Sequence, residues 1–348
     1  MRYILTIVWA CWAAFVTAQP PKPQPPALPA INPAQARLDQ TLGGLDGPCY
    51  ALVATPAAEF LIAGGEKGTL ISWPRSTWLG VRVGSMAPDV SPAHEGPITA
   101  LAWANGAPLV SAGADRKIRF WSMPAREPAK TLETGQVVRA LALSDDGKRL
   151  AAGDDSNAIY LYDVATGNPA GKLTGHTDWL LCLAFSPDGS RLVSGSHDGH
   201  AILWDVPGAK KLLELTLTTT PPPAPAPALP AATTAVAFRP DGKMIAVGTS
   251  GGQVLLCNPA DGKLLRATAA PHASTVTGLA FHPGGALLAS CSRDRTVKLW
   301  NPDNGQLAIN LEGHTAWVEG IAFLEKGTRL ASVSADQTVR IWDLTPKK

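Results

Sequence analysis

Gly175-His176-Thr177-Asp178-Trp179 opens a stretch that runs through Leu183-Ala184-Phe185-Ser186-Pro187-Asp188-Gly189 and Leu192-Val193-Ser194-Gly195-Ser196, then closes at Ile202-Leu203-Trp204-Asp205. Its apolar runs, Leu180 to Phe185, Leu192 to Ser194 and Ala201 to Trp204, are strand-length and bounded by turn residues. Ser186-Pro187-Asp188-Gly189 puts proline where a tight turn wants a fixed φ and glycine where it wants a left-handed residue. Arg239-Pro240-Asp241-Gly242 repeats that turn, and Ser144-Asp145-Asp146-Gly147 is a variant. The stretch reads as antiparallel strands joined by short turns.

Working outward, the same pattern recurs in register. One copy runs from His272 through Leu279-Ala280-Phe281 and Leu288-Ala289-Ser290 to Val297-Lys298-Leu299-Trp300. Another runs from Gly313-His314 through Ile321-Ala322-Phe323 and Leu330-Ala331-Ser332 to Trp342-Asp343, and a weaker one from His94 to Trp121. Anchored on the residue near each repeat's end, the series is Trp73, Trp121, Tyr162, Trp204, Cys257, Trp300 and Trp342, at spacings of 48, 41, 42, 53, 43 and 42 residues. A Gly-His start, a Trp-Asp finish and a period of about 40–45 residues resemble the WD40 repeat. The resemblance covers the chain from about residue 36 to 344. It implies an all-β fold: a seven-bladed β-propeller of four-stranded antiparallel blades. One four-stranded sheet cannot bury both its faces, whereas seven set radially can. The last repeat stops at Trp342-Asp343-Leu344 without an outer strand, while Ala36 to Leu42 has that strand's character, much like Pro128 to Leu132. The resemblance implies that this N-terminal strand completes the seventh blade.

Four repeats carry His, Ser, Asp and Trp at fixed offsets: His94, Ser111, Asp115 and Trp121; His176, Ser194, Asp198 and Trp204; His272, Ser290, Asp294 and Trp300; His314, Ser332, Asp336 and Trp342. Ser, His and Asp together invite a hydrolase reading. The resemblance implies a structural one, a buried hydrogen-bonded chain tying the inter-blade loop to the middle strands, with the hydroxyl accepting from the indole. No catalytic residue is therefore expected. Repeats one, three and five lack the set. Lys67, Ser156 and Gly251 stand at the Asp position, Leu45, Thr134 and Leu229 at the His position, and these blades are expected to rely on packing alone. His197, His200 and His282 fall in turns without metal spacing, so no metal site and no cofactor are expected.

Composition narrows the partners. Apolar residues make up 45% and charged residues 17%, ample for a core, and the net charge of +2 gives no electrostatic reason to expect nucleic acid. Eleven Trp against four Tyr and seven Phe fit a tryptophan with a recurring structural place. Residues 1–18 read as a signal peptide: Arg2 supplies the charge, Tyr3 to Val16 the apolar run, and Val16-Thr17-Ala18 the cleavage pattern. An uncut anchor and a lipoprotein signal at Cys11 are the alternatives, but the run is short for a membrane span. Residues 19–35 form a Pro-rich linker, with seven Pro between Gln19 and Pro33, and 36–348 the propeller. Export to the periplasm or exterior of a bacterium-like cell is the expectation, with no membrane insertion beyond that segment. In such an oxidising compartment Cys49, Cys182, Cys257 and Cys291 allow three pairings; their scatter selects none, and buried free thiols are the default.

The function expected is an extracytoplasmic scaffold presenting its loop faces to partner proteins. The family's usual binding face is the one carrying the His and Asp loops. Candidates there are Trp179 and Trp317, three after each His; His197 and Arg293, just before each Asp; and Glu66, Glu95 and Asp155 in comparable places. Packed consensus tryptophan is the competing reading for the Trp pair. Two insertions are expected to lengthen loops on that face, Met86 to Ala93 and the Pro-rich Thr218 to Ala232. The alternatives in function are a propeller binding a small molecule, sugar or metal in its central channel, with or without enzymatic activity, and a cytoplasmic scaffold.

Overall fold

The computed structural model describes residues 31–55, 59–78, 88–104, 106–122, 127–217 and 231–346. The signal and most of the linker (1–30), and positions 218–230 of the proline-rich insertion, lie outside the described residues. Seven four-stranded antiparallel sheets make up the described structure. Blade four shows the pattern, with an inner strand Leu180–Phe185, then Arg191–Ser196, Ala201–Asp205 and the outer strand Lys210–Glu214. Its first hairpin turns where the sequence reading put it. The Ser186 hydroxyl donates to Asp188 Oδ1 at 2.6 Å and accepts the Arg191 amide at 2.9 Å, while Gly189 takes φ +67°.

Burial explains why these segments become strands. The second strand of blade four is buried from Leu192 to Ser196, because neighbouring sheets cover both its faces, so its sequence carries no alternation. The outer strand is solvated except at Leu213. Between blades the cores are continuous: Val193, Leu203 and Leu215 of blade four pack with Val236, Val247 and Cys257 of blade five. Fully burying such a side chain contributes about 1.5–3 kcal/mol, which is how an isolated sheet's instability is overcome. The second hairpin of every blade demands a left-handed residue. Gly68, Gly199 and Gly252 supply it without strain, whereas Arg116, Asn157, Arg295 and Gln337 adopt it at φ of 61–72°.

The ring closes between its ends. Arg37–Leu42 pairs antiparallel with Val339–Asp343, Leu42 opposite Val339 and Arg37 opposite Asp343. Arg37 also pairs with Asp343 through its guanidinium, Arg329 with Asp39 at 3.2 Å, and the Asn32 amide donates to the Leu344 carbonyl at 2.7 Å.

One expectation needs correction. Met86 and Ala87 lie outside the described residues, but the rest of the segment expected as a lengthened loop, Met86 to Ala93, is not one on the His/Asp face, since Asp89–Pro92 is the outer strand of blade one, with Thr69 opposite Pro92 and Ile71 opposite Val90. Between the third strand Thr69–Pro74 and this outer strand comes the short helix Arg75–Trp78, and residues 79–87 lie outside the described residues. Pairing with Thr69–Pro74 satisfies main-chain groups that a loop would have left to water.

Candidate functional site

All four polar sets assemble. The indole N–H donates to the serine Oγ at 2.9 Å for Trp121 and Ser111, 2.7 Å for Trp204 and Ser194, 2.8 Å for Trp300 and Ser290, and 2.9 Å for Trp342 and Ser332. The same Oγ lies 2.7–2.8 Å from Nε2 of His94, His176, His272 or His314. Nδ1 of each then lies 2.8–2.9 Å from Asp115, Asp198, Asp294 or Asp336. A neutral imidazole protonated on Nδ1 lets every donor find an acceptor: indole to hydroxyl, hydroxyl to Nε2, Nδ1–H to carboxylate. Burial pushes all four histidine pKa values down, which keeps that neutral form at pH 7. Burial alone would raise Asp198, but the Thr177 and His200 amides and His176 hold it below the usual carboxylate range.

None of the four serine hydroxyls is open to solvent. Ser111, Ser194, Ser290 and Ser332 are 0% exposed, and each oxygen is shared between an indole and an imidazole. A triad needs an accessible hydroxyl facing a substrate pocket. What the geometry does instead is pin each inter-blade loop to two strands of its blade.

The blades without the set are not held by packing alone: in blade five the Thr249 hydroxyl accepts the Gln253 amide at 3.2 Å. Trp73 of blade one donates its indole to the Gly43 carbonyl at 3.3 Å, using main chain where serine is missing. In blade three the buried Asp154 accepts from the Ser156 amide at 2.9 Å and its hydroxyl at 2.6 Å, a local turn cap. Blade five buries Cys257 among apolar side chains; Leu229 at its His position lies outside the described residues. Cys49, Cys182, Cys257 and Cys291 are free thiols, and burial pushes Cys49, Cys257 and Cys291 up to about 12. No group of His, Cys, Asp or Glu with metal-binding geometry occurs among the described residues. His282 sits in a turn but is buried, its Nδ1 accepting the Gly284 amide at 2.9 Å and its ring edge-on to Phe323.

On the face that carries the His and Asp loops, the structure gathers most of the surface candidates into two clusters. Trp179 is 46% exposed and lies under the Arg139 guanidinium, 4.6 Å from its ring centre. The His197 ring lies tilted beside Trp179, centroids 6.3 Å apart, and bonds Asp178 at 3.1 Å, while Asp155 forms an ion pair with Arg139. Trp317, 52% exposed, lies under Arg293 at 4.7 Å. Neither tryptophan is packed into the core. Glu66 is exposed and lies near Tyr50. Glu95 departs from the expected pattern: it follows His94 directly, in the place of Thr177, and its amide donates to Asp115 at 3.3 Å.

The sequence reading missed the mouth of the central channel. Each inner strand carries an irregularity in its pairing after the first residue, and the seven residues displaced are Tyr50, Thr99, Arg139, Leu181, Thr234, Thr277 and Glu319. Bulges re-aim side chains, and here all seven line one cavity of about 370 Å³. Thr99, Thr234 and Thr277 donate their hydroxyls to the first carbonyl of the next blade's inner strand (Val138, Val276 and Val318) at 2.5–2.6 Å, stapling neighbouring blades. The signal that finds this ring is an offset of five from the His position. Burial pushes the Glu319 carboxyl up, with Arg293 opposing, and burial beside Glu66 and Glu319 pushes the Tyr50 hydroxyl up.

A family model for the WD domain, G-beta repeat, matches residues 89–122, 126–163, 167–205, 263–301 and 305–343, which together are more than half of the chain. The blades left unmatched, one and five, both lack the His-Ser-Asp-Trp chain. Among curated proteins, the chain is similar to THO complex subunit 6 of Homo sapiens, 28% identical over 199 residues that cover 53% of this chain and 58% of that protein. It is similar to Autophagy-related protein 16 of Arabidopsis thaliana at 32% over 89 residues, 25% of this chain and 17% of that one. Periodic tryptophan protein 2 of Saccharomyces cerevisiae matches at 27% over 129 residues, 36% of this chain and 13% of that one. The chain thus spans less than two thirds of the length of these relatives. Seven four-stranded blades, four buried polar chains and the five matched repeats make this chain a member of the WD40-repeat family.

Proposed function

We propose that this protein is a non-enzymatic scaffold that holds partner proteins on its His/Asp-loop face, and that it does so outside the cytoplasm after export. WD40 propellers are typically protein–protein interaction scaffolds and generally not enzymes, and a relative is named as a subunit of a complex. The observation that carries the reading is the pair of exposed tryptophans, each held under an arginine on one face of a rigid ring. Solvent-exposed Trp and Arg, pre-ordered, are the residues from which interface anchors are built. The export half of the proposal rests on the charge, apolar run and Val16-Thr17-Ala18 pattern at the N-terminus.

Affinity capture from the source cells tests the first half. Trp179→Ala with Trp317→Ala should reduce recovery of partners that wild type retains, at an unchanged melting temperature; equal recovery by the double variant overturns the reading. Mass spectrometry of the mature N-terminus tests the second. Gln19 as the first residue supports export, and Met1 in soluble cytosol removes it.

A further inference from the structure

The two arginine–tryptophan pairs are not equivalent. Arg139 spends its fork on Asp155, with Nε and one terminal nitrogen both directed at that carboxylate. Arg293 does not. Its guanidinium makes no hydrogen bond among the described residues, and the nearest carboxylate oxygen, on Glu319, is 3.5 Å away. The side chain is nevertheless held in place. Trp317 lies beneath it at 4.7 Å, the Arg293 amide donates to the Thr275 carbonyl at 3.0 Å, and the next residue, Asp294, is locked to His272.

Arg293 also occupies the wall between two recesses. One is the channel-mouth cavity; the other, of about 710 Å³, extends over blades four to six past Asp178, His197 and Ser250. Leu181, Thr234 and Thr275 border both. A fixed, planar, partly exposed guanidinium with unused donors at the junction of two recesses is the geometry that receives a carboxylate in two parallel hydrogen bonds.

We propose that Arg293 is the anchor for a carboxylate on an extended peptide segment of the partner, seated where the channel mouth meets the recess over blades four to six, with the peptide's neighbouring groups against Trp317. The charge of the surroundings selects the ligand. Asp178 is hydrogen-bonded to His197 and Asp198 to His176, so each carboxylate is engaged within its own loop, but Glu319 remains beside Arg293. A single-charged carboxylate meets less repulsion there than a phosphate carrying nearly two charges.

This inference rests on the scaffold reading and deepens it. The probes are fluorescein-labelled nonapeptide pools, randomised except for a central Asp, Glu, Lys or phosphoserine, each made with an amidated and a free C-terminus. Binding to the purified chain is read by anisotropy. Wild type should favour Asp and Glu pools over Lys by about tenfold, the scale of one charge-assisted bidentate contact. Arg293→Gln should abolish the preference at an unchanged melting temperature. Arg293→Lys, which keeps charge and packing but lacks the fork, should lose most of it and guards against a folding defect in the first variant. Preference that follows the free terminus assigns a C-terminal carboxylate; preference that follows the central residue assigns a side chain. Equal binding of acidic and Lys pools, a preference surviving in Arg293→Gln, or a phosphoserine pool that outbinds the Glu pool overturns the proposal. Loss of partner capture in the double tryptophan variant without any acidic preference leaves the scaffold reading standing and removes this one.

Discussion

Replacing Ser194 by alanine removes one oxygen and orphans two groups. The Trp204 indole N–H, 2.7 Å away, loses its acceptor, and Nε2 of His176, 2.8 Å away, loses its donor. Trp204 is 1% exposed and His176 7%, so water does not replace the hydroxyl. A buried polar group left without a partner costs about 1–3 kcal/mol, and two of them give about 3–4 kcal/mol when partial relaxation is allowed. With an unfolding entropy near 2.1 cal/mol/K per residue, a folded body of this size loses about 1.5 °C per kcal/mol. The melting temperature should therefore fall by about 5 °C. Differential scanning calorimetry reads it directly. Trp204→Phe removes the donor itself, so the double variant should be less destabilised than the sum of the singles by about 0.5–3 kcal/mol. A melting temperature within about 1 °C of wild type, or additivity in that cycle, would refute the claim that these chains clasp the blades. Loss of a hydrolytic activity from a fully stable Ser194→Ala protein would refute it more severely.

Three further outcomes follow from the same physics. The buried histidines have folded pKa values below the unfolded 6.5, so the unfolded chain takes up protons first. Stability should be complete above about pH 6.5 and decline as pH falls below it; a melting temperature constant or rising from pH 7 to 5 contradicts this. Deleting residues 1–42 removes the strand that completes blade seven, together with the buried Leu42 and the Arg37–Asp343 pair. Its ladder bonds at about 0.5–1.5 kcal/mol each, and Leu42 at about 1.5–3 kcal/mol, add up to a loss of about 5 kcal/mol or more; calorimetry that finds the truncated ring as stable as the intact one rejects the clasp. Native protein should resist maleimide at Cys49, Cys182, Cys257 and Cys291, all of which burial holds protonated, and react at all four in denaturant. Intact-mass analysis showing native labelling at any of them would place that thiol outside the core.

The repeat, the four-strand unit, the blade number and the His-Ser-Asp-Trp chains were readable from residue order, because each lies within one repeat of about 40 residues and recurs at fixed offsets. Closure was readable for a similar reason, since the last repeat lacks an outer strand and Ala36 to Leu42 has the composition of one. What the sequence did not reveal lies between repeats or in strand register. The outer strand of blade one, Asp89–Pro92, looked like loop because its apolar pattern is short and its pairing is decided by Thr69–Pro74. Arg139 belongs to blade three and Trp179 to the loop entering blade four, as Arg293 and Trp317 belong to blades six and seven. Only the packing of adjacent blades sets the distance between such residues. The channel mouth likewise exists because a bulge in every inner strand turns one side chain toward the axis, and bulges arise from the pairing of strands, which no single strand's sequence encodes.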